Sequence, residues 1–295
     1  MIDLHCHTKN SDGTWSTKEL LEKAEILKLD VLSITDHDTV KSYIEIKENK
    51  NLQKIFKGKL INGVELNCTF DSIKIEVLAY GFDIQPVHEW LESYYTVEKH
   101  IKDLTEEFNE LVSICKQKKI KIENELAYNP QNEYPVDVIY YSIIKFEENR
   151  KFFTEEEWND KSVFFRKCTV DKEFILYRDF SKQMPTLEFI SEFIHKNNGK
   201  IFLAHLYKYK LENPIAYLDK IVEKKLIDGV EVYHSSFSLD QMATLEKYCN
   251  KKELLISGGS DCHGDRKKDR KLAIGYGNLN ISKEIINNWN IEPEN

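Results

Sequence analysis

Histidine and acidic side chains recur where the short apolar runs of this 295-residue sequence end. Neutral imidazole and carboxylate groups are the ligand types that suit zinc, manganese and iron. In a parallel α/β fold the carboxyl ends of the strands converge on one face, so residues distant in sequence meet there. The pattern therefore predicts a metal centre. The residues at run ends are His5, His7, His37, Glu65, His205, Asp261 and His263.

Two of these positions are triplets with a cysteine in the middle, His5-Cys6-His7 and Asp261-Cys262-His263. In an extended segment alternate side chains point to the same side. The outer residues of each triplet should therefore face one pocket, while the central cysteine points away and is not a ligand.

Each piece taken alone also has a plainer interpretation. The histidine pair is compatible with surface or core histidines, and Asp36-His37-Asp38 with a helix cap and a packed ring. Glu65 alone fits a buried salt bridge, His205 a hydrogen-bonded core histidine, and the last triplet a turn before a helix. The metal centre is favoured because all of them fall at predicted strand ends.

The order of predicted elements indicates an α/β fold with an insertion. Short apolar runs alternate with helical patterns through the first eighty residues, which is the rhythm of a parallel α/β fold. The rhythm breaks after Gly81 and resumes near residue 181. We predict a barrel in two parts, 1–98 and 181–295, with an inserted, mainly helical lobe at 99–180.

Composition narrows the classes of function. The net charge of −8 disfavours a general duplex-binding surface, although ions can supply positive charge locally to a small phosphorylated ligand. The sequence shows no signal peptide and no apolar run long enough for a membrane span. Six cysteines without a C-x-x-C pair are expected to be reduced thiols of a cytoplasmic protein.

At this point the motifs can be compared with known families. The chain resembles the polymerase and histidinol phosphatase (PHP) superfamily of metal-dependent phosphoesterases. The resemblance rests on D-L-H-C-H-T at 3–8 with S-D-G at 11–13, I-T-D-H-D at 34–38, N-G-V-E at 62–65, L-A-H at 203–205 and G-S-D-C-H-G at 259–264.

The resemblance implies a distorted, TIM-like (β/α)7 barrel whose cleft holds two or three Mn, Fe or Zn ions. Glu65 would bridge two ions. Where the family segment usually carries a metal-binding histidine, this chain has Glu76, which could coordinate through oxygen or lie behind the ligands. The implied ligands are His5, His7, Asp12, His37, Glu65, Glu76, His205, Asp261 and His263.

The implied activity is hydrolysis of a phosphomonoester of a nucleotide or other small molecule by a metal-activated hydroxide. The alternatives are a 5′-to-3′ exonuclease on short RNA or single-stranded DNA, a histidinol-phosphate phosphatase, and a metal-dependent binding protein without turnover. Proton transfer to the leaving oxygen is assigned to His205 or His234. Arg166, Lys167 and Arg178 are candidate substrate-binding cations, with solvated surface charge as the plainer alternative.

Overall fold

The computed structural model describes residues 1–209 and 211–291, without the side chain of Ser181. Its residues fall into two compact units. The first contains the described residues within 1–68, 75–92 and 185–295, and the second contains 69–74 and 93–184. The segment predicted as an inserted lobe, 99–180, lies within the second unit.

Eight strands build the sheets in the described residues. They are β1 (Ile2–Asp3), β2 (Val31–Leu32), β3 (Lys59–Leu60), β4 (Gly63–Phe70), β5 (Ile73–Tyr80), β6 (Lys200–Leu203), β7 (Gly229–His234) and β8 (Leu255–Gly259). One sheet has the order β1-β2-β3 with parallel pairs, and the other has the order β4-β5-β6-β7-β8. In the second sheet β5 and β6 are antiparallel, whereas β6, β7 and β8 run parallel.

Two isolated parallel bridges join the sheets beyond the strand ends. Cys6 pairs with Cys262, and His37 pairs with Glu65. Both bridges lie at the ends that the sequence marked for chemistry, so the backbone itself brings the motifs of β1 and β8, and of β2 and β4, side by side.

The first unit carries most of its helices between strands. They are α1 (Thr17–Ile26), α2 (Lys41–Glu48), α3 (Ile84–Tyr94), which runs into the second unit, α8 (Leu187–Lys196), α9 (Pro214–Glu223) and α10 (Leu239–Lys252). Helix α1 begins with a capping box between Ser16 and Glu19 and buries Leu20, Leu21 and Ala24. The apolar spacing in the sequence predicts Leu27 on the same buried face, but the helix ends before Leu27 and its side chain is exposed.

Three predicted elements differ from the structure. The sequence pattern after Asp38 predicts a helix to about Gln53, but α2 ends at Glu48 and is followed by a 3-10 turn, Leu52–Lys54. The pattern also predicts one strand from Leu60 to Leu66, but this segment is interrupted at Asn62, whose side chain donates to the Phe82 carbonyl. A last helix is predicted from about Ser282 to Trp289, but the structure has only a 3-10 turn there, Lys283–Ile286.

The second unit is helical apart from its share of the β4–β5 hairpin. It contains α4 (Val97–Lys118), α5 (Pro135–Ile143), α6 (Glu155–Asn159) and α7 (Lys161–Val170). Its own core is apolar and aromatic, with Leu111, Ile139 and Phe164 fully buried. In the described part of the chain, no helix combines the length and the apolarity that a membrane crossing requires.

Candidate metal centre

The pairing of residues 5–7 with 261–263 places the two cysteine-centred triplets next to each other. The His7 amide donates to the Cys262 carbonyl at 2.9 Å, and the Asp261 amide donates to the His5 carbonyl at 2.8 Å. The Cys6 thiol is buried and donates to the Ser33 carbonyl. The imidazoles of His5 and His7 lie on the other side, as the period of an extended segment requires.

Glu65 lies among the imidazoles. Its Oε2 atom is 3.1 Å from His5 Nε2, 3.3 Å from His7 Nε2 and 3.3 Å from His37 Nδ1. Its Oε1 atom is 2.8 Å from His205 Nε2. Oε2 of this buried carboxylate thus faces three histidine nitrogens and Oε1 faces a fourth, an arrangement compatible with a ligand shared by two cations.

Acidic and histidine side chains continue the cluster on both sides of Glu65. Asp261 Oδ1 lies 3.3 Å from His7 Nε2, and Asp12 Oδ2 lies 3.2 Å from His263 Nε2. Glu76 Oε2 lies 3.3 Å from His205 Nε2. Every predicted ligand falls in at least one group of three or four residues whose potential ligand atoms are within 4.8 Å of one another. Their role as ligands stays a prediction.

Several buried nitrogen atoms fit a cation better than a hydrogen bond. Both ring nitrogens of His7 lack a hydrogen-bond partner within the described residues, although carboxylate oxygens lie 3.3 Å away. The Nδ1 atoms of His37 and His205 also lack a hydrogen-bond partner within the described residues. Because buried polar groups are normally paired, these orphaned lone pairs and the surrounding carboxylates suit divalent ions.

Two candidate ligands have an uncommon backbone conformation. His205 has φ 26° and Asp261 has φ 53°. A positive φ is unfavourable for residues other than glycine and tends to persist where the surrounding structure enforces it. Here the His205 amide donates to the buried carboxylate of Glu231 at 2.8 Å. Glu231 also bonds His5 Nδ1 at 2.7 Å, so one side chain orients two candidate ligands.

Two further aspartates from the motifs hold loops rather than facing the cluster. Asp3 is fully buried and accepts hydrogen bonds from the amides of His5, Ser260 and Ala273. Asp36 accepts from the amide and the hydroxyl of Thr8. The sequence analysis assigned them no role. Their place inside the motifs, each close to a candidate ligand, was the available signal.

The motif glycine Gly259 is required by a close approach of two chain segments. A Cβ atom at this position would lie 2.3 Å from the His5 amide nitrogen and 2.4 Å from its Cβ. Neither atom can move without moving the strand end that carries His5 and His7. Residue 259 therefore has to lack a side chain if β8 and the segment after β1 are to pair.

We expect Gly259→Ala to weaken both fold and metal retention. Overpacking against rigid backbone costs about 1–3 kcal/mol in the free energy of unfolding, and displacement of His5 would lower metal affinity. Thermal unfolding together with metal analysis checks this. Gly277→Ala is the control, because it strains a positive φ with no atom within 4 Å and should leave bound metal unchanged. Equal metal retention in both variants would contradict the prediction.

His234 is buried and already engaged. Its Nδ1 accepts from the Ser236 amide, and its Nε2 lies 3.2 Å from Asp261 Oδ2. Burial lowers the pKa of His234 to about 4, so the neutral ring carries its proton on Nε2, directed at Asp261. The proposal that His234 protonates a leaving group stays a prediction, but this geometry favours orientation of Asp261 instead.

The histidines and carboxylates of the cluster have opposing pKa shifts. Burial lowers the pKa of His7 to about 4. Burial also opposes protonation of His5 and His37, but neighbouring carboxylates outweigh it and raise both pKa values. The pKa values of Glu65 and Asp261 lie well below normal despite burial, because histidines surround the first and Lys208 and histidines contact the second.

These shifts predict that the metal-free protein is most stable near pH 6.5. Raised pKa values of His5 and His37 contribute stability below 6.5 that is lost as pH rises. Lowered pKa values of His7 and His234 contribute stability above 6.5 that is lost as pH falls towards 4. Metal ions would displace the protons of His5 and His37, so loading should shift the maximum upwards.

Denaturant unfolding of stripped and loaded protein across this pH range measures both maxima. Identical pH profiles for the two forms would contradict the expectation that ions replace protons within the cluster.

Four cations of the first unit contact the acidic rim of the cluster. Lys208 Nζ is 3.1 Å from Asp261 Oδ2, and Arg270 forms an ion pair with the same carboxylate. Arg266 Nη1 is 3.1 Å from Asp12 Oδ2, and Lys267 Nζ is 3.1 Å from His263 Nε2. Lys208, Lys267 and Arg270 were not among the predicted site residues, because their contacts depend on loop conformation and not on any periodic pattern.

Two of the three predicted substrate-binding cations, Lys167 and Arg178, form ion pairs inside the second unit. Arg178 is 2% exposed, and its Nε donates to Glu110 Oε2 at 2.8 Å. A second glutamate, Glu107, lies 3.4 Å from Arg178 Nη1. Lys167 donates to Asp171 at 2.7 Å, and Arg166 is half-buried. The expectation that they are solvated surface charges is wrong for Arg178. Substrate binding by the three remains a prediction.

Comparison with known proteins identifies the family. Residues 3–173, more than half of the chain, match the family model described as the PHP domain. The chain belongs to the PHP family. The predicted family is therefore confirmed, and the match includes all predicted motifs up to Glu65 and the segment with Glu76.

Individual relatives extend the similarity over most of the chain. A 5′-3′ exoribonuclease of Haemophilus influenzae is 26% identical over 272 residues, 88% of this chain and 89% of the relative. A 3′,5′-nucleoside bisphosphate phosphatase of Chromobacterium violaceum is 28% identical over 82 residues, 28% of each chain. The fold is similar to a protein from Bifidobacterium adolescentis assigned as a metal-dependent phosphoesterase, with TM-score 0.61, 21% identity and coverage of 97% and 93%.

Proposed function

We propose that this PHP protein is a metal-dependent phosphoesterase that hydrolyses a phosphomonoester of a nucleotide or another small molecule. The observation that carries the proposal is Glu65, whose Oε2 faces three histidine nitrogens and whose Oε1 faces a fourth inside one buried cluster. The relatives named as an exoribonuclease and a bisphosphate phosphatase support a phosphate ester as the substrate. The proposal includes a distorted seven-stranded barrel and a cytoplasmic location.

The cluster would hold two or three divalent ions, with Mn, Fe and Zn as the candidates. Such ions would lower the pKa of a water molecule and offset negative charge on the phosphate. The chain itself supplies orientation: Glu231 fixes the ring of His5 and the backbone of His205. Arg270 orients Asp261 through a buried ion pair, whereas the more exposed Lys208 contacts the same carboxylate and could also contact phosphate oxygens.

Glu76 decides how many ions bind in this proposal. Its carboxylate belongs to the group with His37 and Glu65, where the family usually has a histidine. We expect Glu76→Ala to lose one ion per chain and Glu76→His to retain it, with a preference moved towards zinc, because imidazole is the softer ligand. Elemental analysis after competition between manganese and zinc measures both. An unchanged ion count in Glu76→Ala would place Glu76 outside the ligand set.

A second candidate is a 5′-to-3′ exonuclease on short RNA or single-stranded DNA. The observation in its favour is the exoribonuclease relative that matches almost the whole length of both chains. Both candidates need the same cluster, and they differ in the length of the nucleotide chain attached to the reacting phosphate.

Hydrolysis assays with manganese-loaded protein test the proposal. The panel contains a nucleotide 3′,5′-bisphosphate, a mononucleotide, histidinol phosphate and a 5′-phosphorylated single-stranded RNA. Phosphate release from the first two is expected, whereas mononucleotide release from RNA would select the exonuclease. Release from histidinol phosphate alone would assign that activity. No product from any ester would favour a binding protein without turnover.

A further inference from the structure

A groove on the first unit combines lysines with an aromatic ring close to the candidate metal centre. Its volume is about 530 Å³, and its walls include Trp15, Lys23, Gly264, Lys268 and Lys271. Gly264 directly follows the candidate ligand His263. The lining thus includes the neighbour of a candidate ligand and extends to the carboxyl end of helix α1.

The groove is held next to the cluster by short backbone contacts. The Thr14 amide donates to the His263 carbonyl at 3.1 Å, and the Thr14 hydroxyl accepts from the Asp265 amide at 2.7 Å. Trp15 Nε1 donates to Asp265 Oδ2 at 3.2 Å. The indole ring is thus anchored at its edge by the same loop that carries His263.

The charge of the lining is opposite to that of the whole chain. Three lysines and Arg270 line the groove, with Asp265 as the single acidic residue among the lining residues. Arg270 is paired with Asp261, which leaves the lysines as the cations facing the groove. Arg266 and Lys267, which precede Lys268 in the chain, contact Asp12 and His263 of the cluster. Residues 266–271 thus carry five cations in a protein of net charge −8.

The remaining lining offers apolar and aromatic surface. Ile26 is 77% exposed and Leu27 is 43% exposed at the end of α1. The half-buried Trp15 ring has Lys23 Nζ at 4.3 Å from its centre. Proteins that bind single-stranded nucleic acid combine a positive groove along the backbone with aromatic rings on which bases stack.

We propose that this groove binds the nucleotides adjacent to the reacting phosphate of a single-stranded polynucleotide. A base displaces the Lys23 ammonium from the face of Trp15 and stacks there, and Lys23, Lys268 and Lys271 contact phosphates. The inference rests on the proposed phosphoesterase function and adds a subsite for a longer substrate. A mononucleotide would leave the groove unused.

Binding of a short, labelled single-stranded RNA to metal-loaded protein tests the proposal, with phosphorothioate linkages to slow hydrolysis. Trp15→Ala should weaken binding at least about fivefold, the effect of losing one stacked base. Lys268→Ala combined with Lys271→Ala should make the plot of log affinity against log salt shallower by about 0.7 per lost phosphate contact. This exposed pair keeps the test valid if Trp15→Ala fails to fold.

The matched control is Lys57→Ala with Lys59→Ala, in a cavity of about 550 Å³ that has no aromatic lining residue. Wild-type affinity is expected for this control. Equal weakening in the control, or wild-type affinity in both groove variants, would overturn the proposal. Hydrolysis of a nucleotide 3′,5′-bisphosphate by the same wild-type preparation distinguishes failure of the phosphoesterase proposal from failure of the groove proposal. Absence of turnover on every ester would contradict only the phosphoesterase function.

Discussion

Glu65→Gln is expected to abolish phosphoester hydrolysis and to remove most of the bound metal. Mutation of a residue that hydrogen-bonds to a metal ligand typically lowers metal affinity or activity by about 10–100-fold. Loss of a carboxylate shared by two ions should have a larger effect. The amide keeps the shape of Glu65 but carries no charge, and it turns a donor towards one group of histidines. Metal content per chain and kcat/KM on a responsive ester measure the two effects.

The control for this variant is Glu22→Gln, which makes the same chemical change at an exposed position on α1. It should keep activity and metal content. The hypothesis of a shared ligand fails if Glu65→Gln retains both ions. It also fails if the activity falls by no more than the roughly 10–100-fold expected when a residue behind a metal ligand is mutated.

Asp261→Asn is expected to lower stability as well as activity. Arg270 is 8% exposed and forms an ion pair with this carboxylate, which Lys208 also contacts. Removal of one partner of a buried ion pair leaves a charge without compensation and costs roughly 3 kcal/mol or more. Because Asp261 also belongs to the group with His5 and His7, an ion should be lost too. Denaturant unfolding of the metal-free protein isolates the stability effect.

A double variant separates the two contributions of Asp261. Asp261→Asn with Arg270→Gln removes both members of the pair, so stability should recover in part while activity should not. Asp265→Asn, at an exposed site in the same loop, should alter the free energy of unfolding by less than about 0.5 kcal/mol. Full stability in the single variant would show that Arg270 does not depend on Asp261.

The sequence predicted the family and the location of the chemistry, because both depend on local features. The spacing of His5-Cys6-His7 fixes which side chains share a side of an extended segment, and the structure places both imidazoles against Glu65. The acidic and histidine residues at the ends of apolar runs come together because parallel strands end at one face. The motif model from residue 3 to 173 confirms the family.

Element ends were less predictable, since tertiary packing decides them. The last helix was expected to continue to Trp289, but its regular part ends at Ile286. Trp289 then packs against Tyr80 and Phe202, with ring centres 5.0 and 4.6 Å away. A helical pattern in the sequence contains no information about where Trp289 packs in the core.

The sequence by itself determined the α/β rhythm, the membership in the PHP family and the set of candidate metal ligands. Only the tertiary structure decided how these side chains are held: Glu231 on His5, Arg270 and Lys208 on Asp261, and Arg178 bound to glutamates of its own unit. These contacts join residues dozens to hundreds of positions apart or depend on loop conformation. They follow from strand register and chain packing, which no local pattern in the sequence encodes.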